Sequence, residues 1–82
     1  MARIIDGEDK NLIGDRVKAL RNDRGMSQRE LSEKLETYGI YVCRGSVSRL
    51  EDKQRTVTDI ELKGLSEIFG VPVGCFFEDV ES

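Results

Sequence analysis

The chain has 82 residues, a formal net charge of −3 and no histidine. A domain this small buries only about 60% of the surface its unfolded chain exposes, which leaves little depth for an enclosed catalytic cleft. Cys43 and Cys75 without histidine fall short of the roughly four ligands of a structural zinc site. No apolar run approaches the ~18 residues of a membrane span. The first ten residues lack the apolar stretch of a signal peptide. The expectation is therefore a cytoplasmic protein with two reduced thiols, no metal, no cofactor and no membrane partner. The charge is uneven: residues 56–82 hold one lysine against six acidic residues, while residues 11–55 carry a basic excess. An acidic tail on a weakly basic front is compatible with a nucleic-acid partner and predicts sharp salt sensitivity.

The pattern predicts five helices. Asn11 is the expected N-cap of the first, whose apolar positions Ile13, Val17 and Leu20 lie on one face. Gly25 is its natural stop. Ser27-Gln28-Arg29-Glu30 reads as a capping box, with Met26 and Leu31 as a hydrophobic staple. Leu31 and Leu35 then face inward, and the short link to the first helix makes the two neighbours. Residues 36–43 break the helical pattern through Gly39, Tyr41 and Val42.

A third helix is expected from Arg44 or Ser46 to Asp52, with Val47 and Leu50 inward. That spacing turns Arg44, Gly45, Ser48, Arg49 and Asp52 outward. Thr58-Asp59-Ile60-Glu61 is a second capping box, opening a helix whose stripe is Ile60, Leu65, Ile68 and Phe69 and whose stop is Gly70. Pro72 suits the first turn of a short fifth helix carrying Val73, Phe76, Phe77 and Val80. The domain is expected over residues 11–78, with residues 1–10 flexible and 79–82 a tail.

The ordered strings Val17-Lys-Ala-Leu-Arg21, Met26-Ser-Gln-Arg-Glu-Leu31, Ser46-Val-Ser-Arg-Leu-Glu51 and Ile68-Phe-Gly-Val71 resemble the lambda-repressor/Cro-like, or xenobiotic-response-element, helix-turn-helix family. The resemblance covers about residues 11–78. It implies an all-α bundle of about five helices, whose second helix crosses the DNA backbone while the third lies in the major groove. On it, Arg44, Gly45, Ser46 and Arg49 fall at base-reading positions, with Ser48 on the same outward face. Gln28, Asp52, Lys53 and Arg55 fall at backbone positions, and Arg21 and Glu51 match an internal ion pair. Two features depart from the family: the turn between Leu35 and Val47 is longer by about five residues, and Asp59 places an acid where a neutral or basic residue is usual.

Each functional reading has a bland counterpart. Arg49, suited to donate twice to guanine, competes with a solvated arginine paired to Glu51. Gln28 competes with an ordinary first-turn residue. Serine near a helix start is most often a cap, and Ser46 is expected to be one. For Tyr38 and Tyr41, contact with the DNA backbone or a partner competes with covering a core edge, the commoner role of turn tyrosines. Of Phe76 and Phe77, one belongs to the core and the other to a dimer contact. A redox role for Cys43 would need a second thiol or basic cluster, and the sequence dictates neither. The expected function is a DNA-binding transcriptional regulator, a repressor acting on double-stranded DNA as a homodimer. The alternative is a protein-interaction module on the same fold, an antitoxin or accessory regulator. An enzyme is not expected, since no nucleophile–base pair is grouped in the sequence.

Overall fold

The computed structural model describes residues 9–77. They form α1 (Gly14–Asp23), α2 (Gln28–Thr37), α3 (Arg44–Glu51), α4 (Asp59–Phe69) and a closing 3₁₀ segment (Val73–Phe77). No strand occurs among the described residues. No helix there is long and apolar enough to cross a membrane.

All four α-helices end alike. A left-handed residue follows the helix, and the next N–H reaches back to a carbonyl of the last turn. These bonds are Met26 to Arg21, Ile40 to Leu35, Gln54 to Arg49 and Val71 to Ser66, at 2.8–3.1 Å. Gly25, Gly39 and Gly70 supply the positive φ in three cases. Lys53 supplies it after α3, at φ 60°, where a side chain costs about 1–2 kcal/mol. The Lys53 ammonium lies 3.1 Å from Asp15 and 3.8 Å from Asp9, so the turn is tied to the start of α1.

Both capping boxes form in full, Ser27 with Glu30 and Thr58 with Glu61. The start of α1 is subtler. Ile13 occupies the cap position, but the Asn11 side-chain oxygen accepts from the N–H groups of Ile13 and Gly14 at 3.0 and 2.8 Å. The same buried amide donates to the carbonyls of Leu50 and Arg55 at 3.1 and 2.9 Å. One side chain thus caps α1 and pins it to the end of α3.

The core comprises Ile13, Val17, Leu31, Leu35, Ile40, Val47, Leu50, Leu65, Phe69 and Phe76. Arg24 closes its rim, donating to the Phe69 carbonyl at 2.8 Å with its guanidinium 5.5 Å from the Phe69 ring centre.

Several expectations need correction. Helix α2 runs on to Thr37, so Glu36 and Thr37 are helical. Ile60 is 66% exposed rather than part of the apolar stripe. Five residues from Leu65 at 3.6 per turn is about 140° around the helix, which turns Ile60 away from the core. The fifth element is a 3₁₀ segment instead of an α-helix. Val80 and the expected flexible ends, apart from Asp9 and Lys10, lie outside the described residues.

Gly14 marks the closest approach of α1 to α3. A β-carbon there would lie 2.5 and 2.8 Å from the carbonyl oxygens of Leu50 and Glu51. Gly25 faces open space, and only its left-handed backbone resists substitution. Gly14→Ala should therefore destabilise by about 2–3 kcal/mol through overpacking, and Gly25→Ala by about 1 kcal/mol. Chemical denaturation of both variants checks that order.

Candidate nucleic-acid interface

The buried side of α3 is fixed by apolar contacts and one charge. Val47 and Leu50 are 1% and 2% exposed, and the Glu51 carboxylate beside them is buried as deeply. Arg21 on α1 meets it with two hydrogen bonds, from Nε at 2.6 Å and Nη2 at 3.0 Å. Gln28 on α2 adds a third, from its amide at 3.1 Å. The remaining Arg21 nitrogen, Nη1, donates to the Met26 carbonyl at 2.8 Å, in the turn joining α1 to α2. The hydrogen bonding that Arg21 donates to Glu51 is the main reason its guanidinium is held above its ordinary range; burial opposes it only in part. Three helices thus converge on one carboxylate at the C-terminal end of α3.

The far side of α3 is different. Arg44, Gly45 and Arg49 are exposed, and Ser48 is half-buried beside them. Arg44 and Arg49 form no hydrogen bond or ion pair among the described residues. Glu51, the expected alternative partner of Arg49, is occupied by Arg21 and Gln28. Gly45 needs no glycine for its own sake: its φ is ordinary, and a β-carbon would meet only Arg49 Nη1 at 3.8 Å and Cys43 Sγ at 3.9 Å. The helix is eight residues long, or about 12 Å.

The residues around this face are placed less uniformly. Ser46 lies within the first turn of α3 rather than at its cap, which Cys43 occupies without a side-chain cap bond. The Ser46 carbonyl accepts from Arg55 Nε at 3.0 Å. Arg55 also reaches Glu61 at 3.0 Å and the Thr56 carbonyl at 2.8 Å, so it braces the loop between α3 and α4. Lys53 is bound to Asp15 and Asp9, whereas Asp52 is exposed. The Gln28 amide points at Glu51. Of the four expected backbone residues, three are thus engaged internally.

Phe76 is buried against Phe69, with ring centres 6.4 Å apart, and is unavailable to a partner. Phe77 is 50% exposed and lines a surface groove with Leu12, Val57 and Leu62. Tyr38 and Tyr41 are exposed rather than folded over a core edge. The sequence marks Asn11 only as a cap. Its bonds to Leu50 and Arg55 join segments some forty residues apart, and no local pattern announces them.

Cys43 departs from expectation. The thiol needs no basic cluster, because the backbone N–H of Ser46 and then those of Gly45 and Cys43 hold it below the usual thiol range, with a smaller contribution from Arg49. Burial opposes the shift. Cys43 is exposed and Cys75 half-buried. Alkylation of the native protein should therefore label Cys43 first. Its rate should rise with pH through a midpoint below that of an unstructured cysteine peptide, because the reactive species is the thiolate. Peptide mapping after timed labelling reads both.

A short helix anchored on one side by core and carboxylate, preceded by a capped helix and presenting an exposed polar face, defines a helix-turn-helix. That class of module sets one helix into a groove of DNA. The helix-turn-helix family profile matches residues 17–74, and the chain belongs to this family, of the xenobiotic-response-element type. It is 36% identical over 67 residues to the HTH-type transcriptional regulator RamB of Mycobacterium tuberculosis, in strains CDC 1551/Oshkosh and ATCC 25618/H37Rv. The match takes in 82% of this chain but only 13% of those relatives.

Breaking the anchor should be costly. Glu51→Ala leaves the Arg21 guanidinium buried without its counter-charge and should destabilise by about 3–5 kcal/mol. Raised salt should restore little of it, since buried pairs are weakly screened. Urea unfolding at two salt concentrations measures both.

Proposed function

We propose that this chain is the DNA-binding domain of a transcriptional regulator, a repressor, with α3 lying in the major groove. One observation carries the reading. The two arginines of α3, Arg44 and Arg49, project from its exposed face with no hydrogen bond or ion pair among the described residues, while the opposite face is locked by Val47, Leu50 and Glu51. Arg49 is assigned to read guanine through O6 and N7. Arg44 reads a base or a phosphate at the entry to the helix, and Ser48 adds a shorter polar contact. Gly45 admits the groove floor closely, which accounts for a glycine that neither backbone nor packing demands. Ser46 contributes through its place in the first turn. Gln28 lies at the start of α2, whose free N–H groups attract a phosphate. Asp52, Lys53 and Arg55 border the groove from the following loop, with Lys53 and Arg55 chiefly shaping it.

A two-fold operator calls for a homodimer with half-sites about one DNA turn apart. The half-exposed Phe77, beside exposed Leu12, offers an apolar contact for it. Occupancy of such an operator suffices for repression. A protein-interaction module, an antitoxin or accessory regulator, is the second reading. It draws on the exposed Tyr38 and Ile60, which line a groove on the α4 side.

Titration against duplexes selected from a random pool, at two salt concentrations, tests the first reading. Arg49→Ala should weaken the preferred duplex by about 1–3 kcal/mol and relax its selectivity. Gly45→Ala should bind more weakly while its thermal melting is unchanged or improved, because a β-carbon fits the free protein. No binding to any duplex at low salt would favour the protein-interaction reading instead. Equal losses for Arg49→Ala on every sequence would reassign that residue to a phosphate.

A further inference from the structure

The segment between α2 and α3 spans six residues, 38–43, and its last four alternate in burial. Ile40 is buried and Val42 packs partly against the core, whereas Tyr41 and Cys43 are exposed. A two-residue period is that of extended chain, so Tyr41 and Cys43 share one face of the segment. Cys43 is the N-cap of α3. Two residues of chain span at most about 7 Å, which keeps Tyr41 close to the start of that helix. At 78% exposure, Tyr41 is the most exposed large apolar side chain among the described residues. It makes no hydrogen bond or ring contact there. Folding gains little from an aromatic ring left in water.

Groove geometry gives that ring a place. The major groove is about 12 Å wide and an α-helix with its side chains is about 10–12 Å across. A helix that fills the groove forces the chain leading into it to leave past one sugar–phosphate strand. In this protein that chain is the 38–43 segment, and its outward face carries Tyr41.

We propose that the segment is itself a DNA contact, with the Tyr41 hydroxyl donating to a phosphate oxygen at the groove edge and its ring lying against the adjoining sugar. The proposal rests on α3 entering the major groove. Tyrosine is among the side chains that bond phosphates, and such contacts fix register and orientation without reading sequence. A neutral donor also displaces fewer counterions than a lysine, so it adds affinity without steepening the salt dependence.

The test uses the whole chain, with Tyr41→Phe and Tyr41→Ala titrated against a selected duplex and a random one. Tyr41→Phe should bind about three- to tenfold more weakly on both, the loss of one hydrogen bond, and Tyr41→Ala more weakly still. The ratio between duplexes, the salt slope of Tyr41→Phe and the melting temperature should not move. The same duplex is then made with neutral methylphosphonates at single flanking positions. At one position the wild type should fall to the level of Tyr41→Phe, and the variant should lose nothing more there. If the wild type binds and both variants bind equally well, the Tyr41 contact is overturned and the reading of α3 stands. If the wild type binds neither duplex, both are overturned.

Discussion

A carboxylate buried beneath a short helix has to be answered by its surroundings, and the answer given to Glu51 organises this domain. An unpaired charge at that depth would cost several kcal/mol. Arg21 supplies the counter-charge from α1, and Gln28 supplies a further donor from α2. The turn after α1, closing at Gly25, also offers the Met26 carbonyl to the remaining Arg21 nitrogen. The ion pair therefore fixes the angle of α3 against the two helices before it. Asn11 and Gly14 repeat the constraint from the other side, where the backbone of α1 touches the last turn of α3.

The functional consequence is a division of labour along α3. Its C-terminal half is held by core, carboxylate and a left-handed turn at Lys53, and its buried face has no latitude. The outward face carries Arg44, Gly45 and Arg49 into solvent, the two arginines without a hydrogen bond or ion pair among the described residues. Positively charged side chains on a rigid support lose less entropy on meeting a partner than the same side chains on a loop. Arg55, bracing the Ser46 carbonyl and Glu61, extends that rigidity into the following loop instead of reaching outward.

What the sequence reveals follows the range of each interaction. The two capping boxes, the glycine stops at Gly25 and Gly70 and the Val47–Leu50 face depend on residues a few positions apart, and they are legible as spacing. The Arg21–Glu51 pairing spans thirty positions and entered through family resemblance, since periodicity alone gives no partner for either charge. Ile60 looked apolar and therefore inward, but the helix phase set by Leu65 and Phe69 turns it out. Ser46 looked like a cap because serine usually is one, whereas the longer turn starts α3 at Arg44 and leaves Cys43 in that position. Resemblance places Lys53 and Arg55 at backbone positions and says nothing of their acidic partners, Asp15 and Glu61, which lie in other elements. Asn11 shows the limit most clearly: half of its amide acts locally as a cap, while the other half acts across some forty residues.

The central claim is that the free face of α3, with the segment leading into it, is the surface that meets DNA. Amide chemical-shift mapping during titration with a selected duplex tests it most directly. The account predicts changes concentrated at residues 41–49 and at Gln28 and Arg29, with α4 and the 3₁₀ segment little affected. Changes confined to the groove of Tyr38, Ile60 and Lys63, with α3 silent, would contradict it.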